Sequence, residues 1–398
     1  MYVRIQFSRK NKNYIMTILI TLALIFLFLS SLAAAIYFIA DKAFLYSKDI
    51  YPYKSLSKRL IFWFYLILCL ASIILTGALI NVEGKFYDIL FAIASVLFGT
   101  FTVAFFVILI VEIIRLFTKW RLRTYGVIAK FATMAIVIFS IIHSYSPKVV
   151  EKTIEIPNLK QEISYVQLTD IHLGHIRGPK YLRKVVKKVN TLNADGVFIT
   201  GDVFDGHEKV NYDMIRPLEN IKAPIYSITG NHDDYAGIKQ VDSLIRMTGA
   251  KLLNNQIINL KYEKGDIQLI GLYFMIADKK AYDIHSIDKT ITMRSELNRL
   301  NPSQDIPTIL LNHSPYGVKY ANEHGIDLVI CGHTHGGQMF PLTLINILAF
   351  PFNRGLYTYQ GTTKNTQVYV SDGIGTFGPP MRLGTNAEIT LLHLVPAN

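Results

Sequence analysis

At 398 residues, half of them hydrophobic, the chain is long enough for two or three domains, and its formal charge is +12. The excess is confined to one third: residues 1–150 carry 16 Lys and Arg against 5 Asp and Glu, while residues 151–398 carry 25 against 24. A near-neutral second part argues against a nucleic-acid groove there, because such a groove concentrates its cations on the soluble fold; basic loops between apolar runs mark a membrane protein instead.

Four apolar stretches come first, at about 14–40, 60–82, 89–111 and 126–142. The first three exceed the roughly 20 residues that span a hydrocarbon core. The fourth is shorter and holds Lys130, which can snorkel to the interface. Trp63, Tyr65, Trp120 and Tyr125 fall near segment ends, as an aromatic belt requires. The first run is too long for the core of a signal peptide, and no small-residue cleavage site stands out. With four spans, residues 41–59 and 115–130 share a side and hold ten Lys and Arg; the N-terminal tail, Lys85, Lys148, Lys152 and Lys160 give the other side eight. The positive-inside rule then places the following domain, 148–398, outside the cytoplasm by a margin of two charges, against the bias of the basic tail. Cys69 and Cys331 lie too differently in the pattern to form a disulfide, so they do not report a compartment.

From about Pro147 short β-rich runs alternate with amphipathic ones. Strands are expected at 164–169, 196–200, 225–229, 306–311, 327–330, 366–371 and 388–394, and a helix over Pro179–Asn190 with proline in its first turn. Mixed elements of this kind build an α/β layered domain. No internal repeat or low-complexity tract interrupts it.

Five polar clusters stand where these apolar runs end: Asp170-Ile171-His172, Gly201-Asp202, Gly230-Asn231-His232-Asp233, Asn312-His313 and Gly332-His333-Thr334-His335. Residues at the carboxyl ends of successive strands converge on one crevice. Alternation along an extended chain would turn Asp170 and His172, and likewise His333 and His335, to one side. A carboxylate has two oxygens with which to bridge cations, and Asp202 is placed on a tight turn to do so. Oxygen and imidazole ligands without thiolates suit Mn, Fe or Zn and argue against a structural zinc site. Each cluster alone is a weak signal; together they supply what two adjacent divalent ions need, and such pairs most often hydrolyse phosphate esters.

On these motifs residues 160–395 resemble the calcineurin-like metallophosphoesterase superfamily, and the run GHTHGGQ (332–338) with the tail 370–388 resembles its bacterial membrane-associated YkuE- and YaeI-type branch. Ala387-Glu388 stands where many relatives have Pro-Glu. The resemblance implies a four-layer α/β/β/α sandwich behind the transmembrane region 1–147. It implies that Asp170, His172, Asp202 and His335 hold one metal, Mn in the first instance, and that Asp202, Asn231, His313 and His333 hold the second. A bridging hydroxide would attack phosphorus, Asn231 would offset phosphoryl charge, and His232, oriented by Asp233, would protonate the leaving group.

The reading is a membrane-anchored phosphoesterase acting on a phosphodiester or pyrophosphate in a lipid or envelope component, with the bilayer as partner and no nucleic acid. A phosphatase or nucleotidase for soluble substrates is the rival enzyme; a membrane sensor or transporter using the fold to bind is the rival of another class. Gly373-x-Gly375-x-x-Gly378 matches a dinucleotide fingerprint, but Pro379-Pro380 follow and no helix can start there, so it reads as a turn. His175 is weighed as a pocket-lining residue, Arg382 as a phosphate contact or surface ion pair, and His207, His285 and His324 as surface residues.

Overall fold

The computed structural model describes residues 30–47, 55–206, 210–263, 265–274, 292–362 and 364–397. They fall into two compact units, the described residues of 1–75 with 97–137, and those of 76–96 with 138–398.

Helix α1 (30–47) is followed by α2 (Ser55–Leu79), α3 (Lys85–Phe117) and α4 (Leu122–Ser144). Three helices, Lys58–Leu79, Lys85–Phe117 and Leu122–Ser144, are long and apolar enough to cross a membrane. They fall on the second, third and fourth expected spans. Of the first span, 14–29 lies outside the described residues, and the remainder is part of α1. In the first unit Glu112 lies just past the apolar run of α3. It pairs with Lys42 at 3.0 Å and Arg115 at 2.8 Å and accepts from Tyr46 Oη at 2.6 Å, so this intramembrane-edge carboxylate is neutralised by partners.

The second unit holds two six-stranded sheets. The first runs β1 (Lys148–Ile156), β12 (Glu388–Pro396), β2 (Ile163–Leu168), β3 (Gly196–Thr200), β4 (Ile225–Ile228), β5 (Lys251–Leu252). The second runs β10 (Gly355–Tyr359), β11 (Thr366–Val370), β9 (Leu328–Cys331), β8 (Thr308–Leu311), β7 (Ile267–Gly271), β6 (Gln256–Leu260). β2 through β5 are parallel, as are β7, β8, β9 and β11.

Alternation along each buried strand builds the layers. Tyr165 and Phe198 turn inward and meet Leu269, Ile309, Ile330 and Tyr369 of the other sheet. Val166, Leu168, Val197 and Ile199 turn outward onto Leu182, Val185 and Val189 of helix α5 (Pro179–Asn190). On the far side Leu310, Val329 and Val370 meet Met293, Leu297 and Val318. The order is helix, sheet, sheet, helix, so both sheets are covered on both faces and read as continuous apolar runs.

β3 and α5 have the expected bounds, and the other expected strands shift by one or two residues. β1, β5, β6, β7 and β10 were not expected. β1 alternates apolar and charged residues with one face exposed, and β10 lies at a sheet edge, so neither shows a buried run.

One polar side chain ties the sheets together directly behind the crevice. Gln167, fully buried on β2, donates from Nε2 to Thr200 Oγ1 at 2.9 Å and to the Cys331 carbonyl at 2.8 Å. The strand ends that carry the polar clusters are thereby held in fixed register.

Candidate metal centre

All five clusters follow the carboxyl ends of central strands: β2 leads to Asp170, β3 to Asp202, β4 to Asn231, β8 to His313 and β9 to His333. The segments after β2 and β9 are not extended, contrary to the expectation from alternation. Asp170, His172, Asp202, His333 and His335 all have positive φ, between 50° and 72°. Alternate residues in the left-handed region curl the backbone and aim both members of each pair into one pocket. Non-glycine residues pay about 1–3 kcal/mol each for that conformation, and such outliers gather at functional sites.

The ligand-type atoms form linked groups. Asp170, His172 and His335 converge; so do Asp202, His313 and His333; a third group joins His172, Asp205 and His232. Asp202 lies between the first two. Its Oδ2 is 3.2 Å from His313 Nε2 and 3.8 Å from His172 Nε2, and its Oδ1 accepts the His232 amide at 2.8 Å. Gly230 lets this happen, because a Cβ there would run into the Asp202 carboxylate.

The residues fit two cations on several counts. His172 Nε2 and His335 Nε2 face each other at 3.2 Å, and His313 Nε2 faces His333 Nδ1 at 3.1 Å. Asn231 Oδ1 is buried without a hydrogen-bond partner, an acceptor that a cation would satisfy. Outer contacts fix the rings: His172 Nδ1 meets Asp205 Oδ1 at 2.9 Å, and His313 Nδ1 meets the Thr200 carbonyl at 2.8 Å. Each leaves Nε2 for the centre, the usual way a ligand imidazole is oriented.

Asp205 was missed in the sequence. Its trace is a carboxylate three residues after Asp202, which has no motif of its own. Replacing it by alanine is expected to weaken metal binding by about 10–100-fold, the usual cost of losing such a partner; a competition titration with a fluorescent chelator measures it.

Burial and charge set the protonation of the metal-free centre. Burial pushes the Asp170 carboxyl up. Burial also works to raise Asp202, but His313 and His232 outweigh it and hold that carboxyl well below the usual range. Burial alone would lower His313, yet the Asp202 carboxylate beside it raises it to about 9. Burial, then His172 and Arg382, hold His335 well below the ordinary value. A cation must displace the His313 proton at any pH below about 9. Affinity is therefore expected to rise steadily from pH 6 to 9; a flat profile in metal titrations would contradict this protonation state.

Other residues depart from expectation. Asp233 does not serve the His232 ring: its oxygens accept the amides of Phe204 at 3.1 Å and Gly230 at 2.9 Å, and His232 Nδ1 instead meets the Asp205 carbonyl at 3.2 Å. Arg382 is neither a phosphate contact nor a surface residue. It is fully buried, donates to the carbonyls of Asp372, Gly373 and Gly375, and lies 3.4 Å from His335 Nδ1. The Gly373–Gly378 turn passes so close to Asp170 that a Cβ at Gly373 would strike its side chain, which explains the glycine without a dinucleotide. His175 joins none of the three ligand-type groups. It meets Asp88 Oδ1 at 2.7 Å and the Ile80 carbonyl at 3.1 Å and stacks on Phe91. His324 bonds Asn298 and the Tyr320 carbonyl; His207 and His285 lie outside the described residues.

Residues 163–337 match the family described as calcineurin-like phosphoesterase. An uncharacterized metallophosphoesterase of Campylobacter jejuni is 31% identical over 87% of this chain and 94% of its own. The chain belongs to the calcineurin-like metallophosphoesterase family. A Helicobacter pylori uncharacterized metallophosphoesterase is 35% identical over 63% of this chain and 65% of its own length. A zebrafish transmembrane protein with metallophosphoesterase domain is 34% identical over 68% and 63%. The match thus spans just under two thirds of both these relatives.

Proposed function

We propose that the chain is a membrane-anchored phosphodiesterase or pyrophosphatase, with residues 1–147 as the anchor and 148–398 as the catalytic domain. The observation that carries this is Asp202, one carboxylate set between two groups of imidazoles and fixed by the His232 amide. Asp170, His172, Asp202 and His335 would hold one divalent ion, and Asp202, Asn231, His313 and His333 would hold the other. When bound, the pair supplies an activated water and neutralises phosphoryl charge.

The chain's own groups do the rest. His232 is half-buried at the rim of the centre, with its Nδ1 against the Asp205 carbonyl. With Nδ1–H held on that carbonyl, the protonated ring presents a second proton on Nε2 to give to the leaving oxygen, as a general acid requires. Asp233 is a positioning residue: by tying Gly230 to Phe204 it fixes the turn from which Asn231 and His232 project. Asn231 presents its amide to the same centre.

The three apolar helices and the zebrafish relative's printed name support the anchor, and tethering raises the local concentration of membrane-borne substrate. The catalytic domain is assigned to the outer face by the Lys and Arg balance. The test is incubation of the full-length, Mn-loaded protein with phosphatidylcholine vesicles doped with phosphatidylglycerol or a nucleoside-diphosphate-linked lipid, and in parallel with 5′-nucleotides. Cleavage of a lipid phosphoester supports the proposal. Cleavage of nucleotides alone supports the soluble-substrate phosphatase, and cleavage of neither supports a binding module.

A further inference from the structure

The helix Leu342–Ala349 (LTLINILA) directly follows the ligand segment Gly332–Gln338, and none of its eight residues is buried. Leu344, Ile345, Ile347 and Leu348 are exposed, Leu348 to 88%. Phe340 and Phe377 are also exposed, at 51% and 59%. A soluble domain does not leave such a surface to water; it marks a contact with another apolar phase.

What covers it follows from its connections within the second unit. Phe340 N donates to the Leu383 carbonyl at 2.7 Å, and Gln338 Nε2 donates to the Phe377 carbonyl at 2.9 Å, so the helix is tied to the turn 377–385. That turn is tied in its own right to the end of α4. Arg382 N donates to the Ser140 carbonyl at 3.0 Å, Ser144 Oγ to the Pro380 carbonyl at 2.8 Å, and His143 Nε2 meets the Thr385 carbonyl at 3.1 Å. α4 has 23 residues and is about 34 Å long, against a hydrocarbon core of about 30 Å, so its last turns lie at the edge of that core. The segment Thr76–Val96 agrees: His175 bonds the Ile80 carbonyl and Asp88 where α2 ends and α3 begins, the same side of the bilayer as the end of α4. The same surface reaches the centre. The Phe377 ring is 5.4 Å from the His232 ring, and Asn346 Nδ2 donates to the Thr334 carbonyl at 3.2 Å, between His333 and His335.

We propose that Leu342–Ala349, together with Phe340 and Phe377, lies in the lipid interface and sets the mouth of the metal centre at headgroup level, so that the substrate class is a lipid phosphoester. The substrate part rests on the phosphoesterase reading above. Interfacial helices of this kind bury their apolar surface about 5–10 Å into the headgroup boundary.

The experiment uses the full-length protein in phosphatidylcholine vesicles. Leu348→Cys is labelled with an environment-sensitive fluorophore, with the unsubstituted protein as background, because Cys69 and Cys331 are buried. Strong quenching by acyl-chain nitroxide lipids and weak quenching by aqueous iodide is expected. Quenching by iodide alone overturns the proposal; protection from both quenchers also overturns it, since a protein surface then covers the helix. A second variant, Ile345→Glu with Leu348→Glu, is expected to lose more than tenfold in cleavage of the vesicle lipid while cleaving a soluble aryl phosphodiester as before. Equal rates on lipid overturn the substrate assignment. If the unsubstituted protein cleaves neither substrate, the phosphoesterase reading fails, and the quenching still decides the membrane contact.

Discussion

Asp202→Ala is expected to empty both metal positions and to lower hydrolysis of a soluble aryl phosphodiester by more than about 100-fold, beyond the cost of removing an outer partner. The reason is its place between the groups. Its Oδ2 faces His313 at 3.2 Å and His172 at 3.8 Å, and no other carboxylate among the described residues belongs to the second group. The substitution also removes the carboxylate that faces buried His313 at 3.2 Å, and breaking a buried pair costs about 3–5 kcal/mol. Asp202→Asn keeps an oxygen for the His232 amide while removing the charge, so it tests the charge with that hydrogen bond in place. Metal analysis and thermal melts of both variants are the measurement. A folded Asp202→Asn that retains both ions and full rate would refute the bridging role.

Replacing His232 produces the second large effect, of a different kind. His232→Ala is expected to lower kcat by about 10²–10⁴, the range of general acid–base catalysis, with metal content unchanged. Its imidazole belongs to the third group, with His172 and Asp205, and its ring lies 4.8 Å from that of His172. An acid is needed most when the leaving group is a poor one, so the loss should be far larger for an alkyl phosphodiester than for an aryl one. Equal losses on both substrates would mean that His232 positions and does not protonate. Loss of metal would make it a ligand.

The sandwich was legible because its central strands are buried on both faces and read as unbroken apolar runs, as at Gly196–Thr200 and Leu328–Cys331. The site was legible because its residues stand immediately after those runs, where parallel strands deliver them to one edge. The backbone between them was not. Residue type does not announce that Asp170 and His172 are left-handed, since tertiary contacts impose it. Partners also stayed hidden: Asp205 reaches His172 only after β2 and β3 pair, and the Thr200 carbonyl that holds His313 has no side-chain signature. Arg382 misled because a charged residue in a turn reads as exposed, while here three carbonyls take its donors in the interior. The helix Leu342–Ala349 was passed over because an eight-residue apolar run resembles a buried element and only its exposure sets it apart.

The central claim is that one chain holds two divalent ions about Asp202. The most direct measurement is the metal content of the full-length protein by elemental analysis, after reconstitution with Mn, Fe or Zn and removal of free ions. Two ions per chain, falling together in Asp202→Asn, is the predicted result. A content that stays below one ion per chain with every metal, in protein whose thermal melt shows it folded, would contradict the account.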